Sequence, residues 1–283
     1  MSDILIQAQP ALEFLPPDFK PWVWRLTRCA LPTWTRLQTD LTDIDADNVV
    51  QLASLFQEFQ TGKTRILLAF RHPNPEDSYV LANLLWHVLP QVANQAGIKL
   101  QQPLHSHFVY DRGIPLWAGE FVSWMYQRLG GTPIQRGKID RAGLKSVREL
   151  FANGQFPIAA APEGGNNGHN EIVSPLEPGV AQFGFWCVED LHKADRPERV
   201  VIVPLGIQYR YVSPPWERIR QQLAQLETDF GLAEPYRSAI SPPSHAADGI
   251  TQADLADLYQ RLFGLGEKLL DIMEQFYRCL LYT

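Results

Sequence analysis

The chain reads as an α/β protein: a mainly parallel central sheet flanked by helices, with an N-terminal helical appendage. Three observations predict this. Short apolar runs, Ile66–Phe70, Phe156–Ala161 and Val200–Ile207, have the length of buried strands and stop at or near proline and glycine. Longer stretches with apolar residues at helical spacing lie between them. Strands that alternate with helices indicate crossover connections, hence parallel pairing with both sheet faces covered.

With 283 residues, 45% hydrophobic and 20% charged, the chain can build one large α/β domain plus an appendage, read as residues 48–283 and 1–47. A net charge of −6 with no tract rich in Lys or Arg argues against a nucleic-acid binder. Cys29, Cys187 and Cys279 are far apart and odd in number. They suggest a reducing compartment and offer no metal cluster. The start, Met1-Ser2-Asp3-Ile4, lacks the basic-then-apolar order of a secretory signal, and no stretch reaches the ~20 apolar residues needed to span a bilayer. A soluble or peripheral protein is expected.

Taken in order, residues 10–38 mix Phe14, Leu15, Trp22, Val23, Trp24, Leu26, Leu31 and Trp34 with Lys20, Arg25, Arg28 and Arg36, without an acid between Asp18 and Asp40. Two readings stay open: an interfacial membrane anchor, or a helix whose tryptophans pack on the main domain. Asp40–Asp47 is an acidic link to a helix at Asn48–Thr61. Ile66–Phe70 is then a strand, broken by Pro73 and Pro75, and a helix runs on from Ser78 with Asp77 or Ser78 able to cap it. Leu104–Tyr110 is a candidate strand carrying His105 and His107 at alternate positions. Such a pair could bind a metal, but no third ligand lies nearby, so satisfied or exposed histidines are the preferred reading.

Pro115–Leu129 reads as one aromatic-rich amphipathic helix closed by Gly130-Gly131. Thr132–Arg136 is extended. Asp140–Ala152 is a helix with Arg141, Lys145 and Arg148 on one face, either a solvated row or a contact for phosphate or an acidic partner. Phe156–Ala161 is a buried strand that runs into Pro162-Glu163-Gly164-Gly165-Asn166-Asn167-Gly168, a loop whose glycines let the backbone approach a ligand. A helix at 180–191 precedes the strand at Arg199–Tyr209, where Pro204 implies an edge, a bulge or an exit into a site. A polar helix at 217–230, a Pro/Ser/Ala-rich loop at 234–249 and an amphipathic helix at 254–281, broken near Gly264–Gly266, complete the chain.

The chemistry concentrates at strand ends, where open α/β sheets bind ligands. His72 follows a strand and Asp77 opens a helix. An imidazole can take a proton from a hydroxyl, and a carboxylate folded back across a tight turn can hold its other ring nitrogen.

Four blocks in order carry a resemblance: His72–Asp77 (H-x-x-x-x-D), Gly130–Arg136, Ala161-Pro162-Glu163-Gly164-Gly165, and Val201-Ile202-Val203-Pro204-Leu205-Gly206. Together they resemble the glycerolipid acyltransferases, the family of 1-acylglycerol-3-phosphate and related lysophospholipid acyltransferases, over roughly residues 64–210. The resemblance implies that family's α/β fold and direct transfer of a fatty acyl group from acyl-CoA or acyl carrier protein to a lysophospholipid or lipid alcohol. It implies His72 as general base, Asp77 as its orienting partner, and no cofactor or metal. It also implies Arg136 on an acceptor phosphate, with Pro162, Glu163, Gly164 and Gly165 shaping the acceptor side. The aromatic 116–129 helix would help line an acyl tunnel, and the protein would lie peripherally on the cytoplasmic face of a membrane.

One departure bears on the acceptor. The family's third block usually continues with a basic residue, whereas Asn166 and Asn167 stand here, so phosphate would rest on Arg136, helped by Lys138 or Arg141. Losing one charge-assisted hydrogen bond weakens an anionic acceptor by ~1.5–3 kcal/mol, which raises the standing of a neutral lipid alcohol. Two competing readings are a hydrolase in which His72, Asp77, His105 and His107 converge on a metal, and a non-catalytic acyl-lipid-binding protein.

Overall fold

A computed structural model describes residues 12–137, 139–232 and 249–281, with side chains through 277. Lys138 and nearly all of the 234–249 loop therefore lie outside the described residues. The strands are β1 (Thr64–Phe70), β2 (His107–Asp111), β3 (Thr132–Ile134), β4 (Ile158–Ala160) and β5 (Arg199–Leu205). They form one sheet in the order β3-β2-β4-β1-β5, with every neighbouring pair parallel. The α/β class expected from the apolar runs is thus present, with a sheet that is entirely parallel.

The helices of the first part of the chain are α1 (Pro21–Gln38), α2 (Val49–Gln60), α3 (Asp77–Asn83), α4 (Leu89–Gln95), α5 (Ile114–Ala118), α6 (Glu120–Arg128), α7 (Arg141–Asn153) and α8 (Pro178–Lys193). They cover both faces of the sheet. On one face, Ile66, Leu68 and Phe70 of β1 pack with α1, α2, α3 and α4; on the other, Leu67 of β1 and Ile158 of β4 pack with Val147 and Phe151 of α7 and Phe183 and Cys187 of α8. The alternation follows from successive side chains of a strand pointing to opposite faces, and burial on both is why β1 reads as an unbroken apolar run. Pro204 sits in β5, at the edge of the sheet and paired only with β1, where its missing N–H interrupts no central ladder.

α3 passes into α4 through one π-helical turn, Leu84–Val88, just before Pro90. A proline removes the N–H that would have bonded four residues back, to the carbonyl of Trp86. Arg28 of α1 takes that place: its Nε donates to Trp86 O at 3.1 Å, and its guanidinium lies 5.4 Å over the Trp24 ring. The N-terminal helix is therefore keyed into the sheet layer by a carbonyl that a proline set free.

The described chain forms two compact units, divided between Gln208 and Tyr209. In the second, α9 (Trp216–Asp229) and α10 (Gln252–Leu281) pair through buried Leu223, Leu258 and Leu265, and Arg261 grips Glu227 with Nε–Oε1 at 3.0 Å and Nη2–Oε2 at 2.7 Å. The break expected near Gly264–Gly266 is absent, and α10 is continuous. Each helical glycine costs about 1 kcal/mol, and burial of Leu258 before the pair and of Leu265 between the two outweighs it. Conversely, the single helix expected over 115–129 is broken: Gly119 adopts φ of 87° and separates α5 from α6.

Candidate active site

Because the sheet is parallel, its strands release their chains at one edge, and four of those ends meet there. β1 runs into Arg71 and His72, β2 ends at Asp111, β3 leads to Arg136, and β4 leads to Pro162 and Glu163.

At the end of β1 the chain turns through Pro73–Glu76 and enters α3 at Asp77, which is fully buried. Asp77 is the first residue of α3, and the N-cap position expected for it or Ser78 falls on Glu76. Asp77 Oδ2 accepts the Asn74 N–H at 2.9 Å and lies 2.9 Å from His72 Nδ1. An oxygen already accepting an N–H acts as acceptor again here, so the hydrogen of the second contact belongs to Nδ1. In the neutral form of the ring, Nε2 is then the nitrogen that carries the lone pair. The imidazole packs edge-on to Phe70 at 5.8 Å and is partly exposed. Sequence reasoning brought these two residues together, and the structure places them so.

Glu163 is internal to the site. Its Oε1 accepts the backbone N–H of His72 at 3.1 Å and Arg71 Nε at 3.4 Å, while Oε2 accepts Asn167 Nδ2 and the Ser174 N–H, each at 2.9 Å. Burial pushes the carboxyl upward in pKa, but the N–H groups of Ser174 and His72 and the Arg71 guanidinium outweigh it and hold the group below its ordinary value. The Glu163 carboxylate ties the β4 loop to the β1 loop. Arg71 completes the tie by donating to the carbonyls of Asn170 at 2.6 Å, His169 at 3.1 Å and Ile172 at 2.9 Å.

Arg136 is the more open cation, with a side chain 59% exposed. Its Nε donates to Asp111 Oδ2 at 2.8 Å and its Nη1 to Gly164 O at 2.6 Å. Gly164 holds φ of 73°, and a Cβ on Gly165 would stand 2.8 Å from Arg136 Nη1. Gly164 is thus favoured by its backbone conformation, and a side chain at Gly165 would have to displace the end of Arg136. Pro162 O accepts the Glu177 N–H at 2.7 Å, which joins the loop to α8. The segment bearing Arg136 is held by Asp140, which accepts the Gln135 N–H at 2.9 Å and the Gly143 N–H at 3.1 Å and pairs with Arg112.

His105 and His107 lie elsewhere, at the amino end of β2. Trp86 Nε1 donates to His105 Nδ1 at 3.1 Å, and His105 Nε2 donates to Leu129 O at 2.7 Å. His107 Nδ1 donates to Gly130 O at 2.9 Å. Burial depresses both, His105 to about 3, so they are neutral structural side chains and do not converge with His72. On α7, Arg148 is committed to Asp190, with Nη2–Oδ1 at 2.6 Å, and lies over Trp186, so the basic row retains Arg141 and Lys145 beside a cavity of about 520 Å³.

Sequence reasoning missed Arg71 as a clamp and Asp111 as the partner of Arg136. Asp111 carried a signal: it closes an apolar strand and precedes Arg112-Gly113. No protein-family model, curated protein or solved structure matches this chain. Among the described residues, no helix is long and apolar enough to cross a membrane.

Proposed function

We propose that this chain transfers a fatty acyl group from an acyl thioester, acyl-CoA or acyl carrier protein, to the hydroxyl of a lysophospholipid such as 1-acylglycerol-3-phosphate. The observation that carries the reading is the 2.9 Å contact between His72 Nδ1 and Asp77 Oδ2 at the carboxyl edge of a parallel sheet. The resemblance to the glycerolipid acyltransferases supports it.

In this mechanism His72 Nε2 takes the proton of the acceptor hydroxyl while the alcohol oxygen forms a bond to the thioester carbonyl carbon. Asp77 holds the ring and stabilises the imidazolium. The tetrahedral intermediate collapses, the C–S bond breaks, and the departing thiolate receives the proton from His72. The products are an ester and a free thiol. Each atom is accounted for without an acyl-enzyme, a metal or a cofactor.

A neutral lipid alcohol is the second reading, favoured by a specific observation: Arg136 already spends Nε on Asp111 and Nη1 on Gly164, and Glu163 is filled by internal donors. A screen of lysophospholipids and lipid alcohols with a labelled acyl thioester tests both. Transfer that disappears in His72→Ala supports the mechanism. Retention of the rate in that variant, or thioester binding with no turnover on any acceptor, would refute it.

A further inference from the structure

The opposite edge of the sheet, where the strands begin, holds a cavity of about 370 Å³. It lies between the last turn of α2, the segment 101–105 that leads into β2 and the segment 154–157 that leads into β4. Phe56, Phe59 and Phe156 give it an apolar wall. Arg65 is the charged residue in its lining, since His105, which also borders it, is neutral. Acyl transfer makes no use of this cavity. The seven residues of β1 put roughly 20 Å between Arg65 and His72.

Arg65, the second residue of β1, is 8% exposed and has no carboxylate in ion-pair reach among the described residues. Its Nε donates to Phe151 O at 2.7 Å, and its Nη2 donates to Gly154 O at 2.7 Å and Leu150 O at 3.3 Å. These carbonyls close the C-terminal end of α7, and the guanidinium lies 4.6 Å over the Phe59 ring. A helix end offers about half an elementary charge, so these dipoles offset the cation in part. Neighbouring ionisable groups do not supply the rest. Arg196 and Glu198 pair with each other, and burial pushes the Cys187 thiol up to about 11, which keeps it neutral. Burial in turn draws Arg65 itself down to about 10. One nitrogen of the fork is unused: Nη1 makes no hydrogen bond among the described residues, and unlike Arg112 Nε it is not sealed from solvent.

We infer that this cavity is a second binding site, which takes a small carboxylate with a flat apolar body. A guanidinium short of counter-charge, with an open donor in an aromatic cavity, is a seat for an anion. A singly charged carboxylate matches the single cation, whereas a phosphate would bury excess negative charge. At about 30 Å³ per water, the cavity has room for about twelve waters, the space of one aromatic ring and its carboxylate. The rim is held in shape: Gln60 Nε2 donates to Gln101 O and Gln60 Oε1 accepts the Gln101 N–H, each at 2.8 Å.

The test is isothermal titration calorimetry of the full chain with three probes of one shape, benzoate, benzyl alcohol and benzylammonium. Benzoate should bind saturably, benzyl alcohol at least tenfold more weakly, and benzylammonium not at all. In R65Q the affinity for benzoate should fall to that for benzyl alcohol. Because Arg65 also closes α7, R65Q is checked by its unfolding curve. Q155E changes an exposed rim residue that makes none of the bonds of Arg65. Its like charge should weaken benzoate at least about fivefold and leave benzyl alcohol unchanged, and it decides the matter alone if R65Q does not fold. R136A should bind benzoate like the parent, which separates this cavity from the carboxyl edge of the sheet. The inference is overturned by absence of saturable benzoate binding, by equal affinity for benzoate and benzyl alcohol, by benzoate binding unaltered in folded R65Q or in Q155E, or by its loss in R136A.

Discussion

The backbone N–H of His72 donates to Glu163 Oε1 at 3.1 Å, so the loop that follows β4 fixes the residue that follows β1. Arg71 grips the same oxygen, and the Ser174 N–H and Asn167 hold the other. A carboxylate is needed because every partner is a donor. In Glu163→Gln the amide nitrogen must face one pair of donors. We expect a loss of about 1.5–3 kcal/mol of stability, read by denaturant unfolding, and a fall in kcat that exceeds any change in thioester KM.

Asp77 and His72 should separate in their effects. His72→Ala removes the proposed base and, under the acyl-transfer reading, should abolish transfer with an unchanged unfolding curve. Asp77→Asn offers an amide that no longer selects the Nδ1–H tautomer, and kcat should drop by roughly 10³–10⁴-fold. The check is a pH–rate profile of the residual activity.

Arg136 and Gly165 form a coupled prediction. If the acceptor carries phosphate, Arg136→Ala should raise its KM roughly tenfold to a hundredfold and leave a neutral alcohol unaffected. Gly165→Ala places a methyl 2.8 Å from Arg136 Nη1, the far end of a flexible side chain. It should shift KM in the same direction as Arg136→Ala, with the thermal midpoint unchanged. Equal KM effects on charged and neutral acceptors would assign Arg136 a purely structural role through Asp111 and Gly164.

His105 should make the fold acid-sensitive. Burial first, opposed by its bond to Leu129 O, drives its folded pKa down to about 3 from an ordinary 6.5. Below the ordinary value the unfolded chain binds the extra proton, so the contribution to stability is complete above pH 6.5 and is lost as pH falls from there toward 3. One such group contributes a slope of up to about 1.4 kcal/mol per pH unit. Unfolding free energies between pH 7 and 5 should decline with pH, and His105→Gln should flatten the decline even though it lowers stability overall.

Much of the architecture was legible because β1, β4 and β5 are short apolar runs between helices, a local pattern. The pairing of His72 with Asp77 was legible for a similar reason, since five residues and two prolines leave the turn few shapes. Arg71, Asp111 and Glu163 were not legible in their roles. Their partners lie tens of residues away in sequence, and nothing in a single arginine tells whether its guanidinium will meet a substrate or a carbonyl.

The sequence by itself determined the strands, the crossover helices and the proximity of an imidazole to a carboxylate, because each follows from chain stiffness and periodicity within a few residues. Tertiary structure alone decided which tryptophan of α1 is core, Trp24, and which is surface, Trp22, and it turned Trp117 and Phe121, expected along an acyl tunnel, out to solvent. It also decided where Arg136 and Glu163 spend their hydrogen bonds. Those outcomes depend on what packs against what, and burial and donor–acceptor matching between distant segments exist only once the chain has folded.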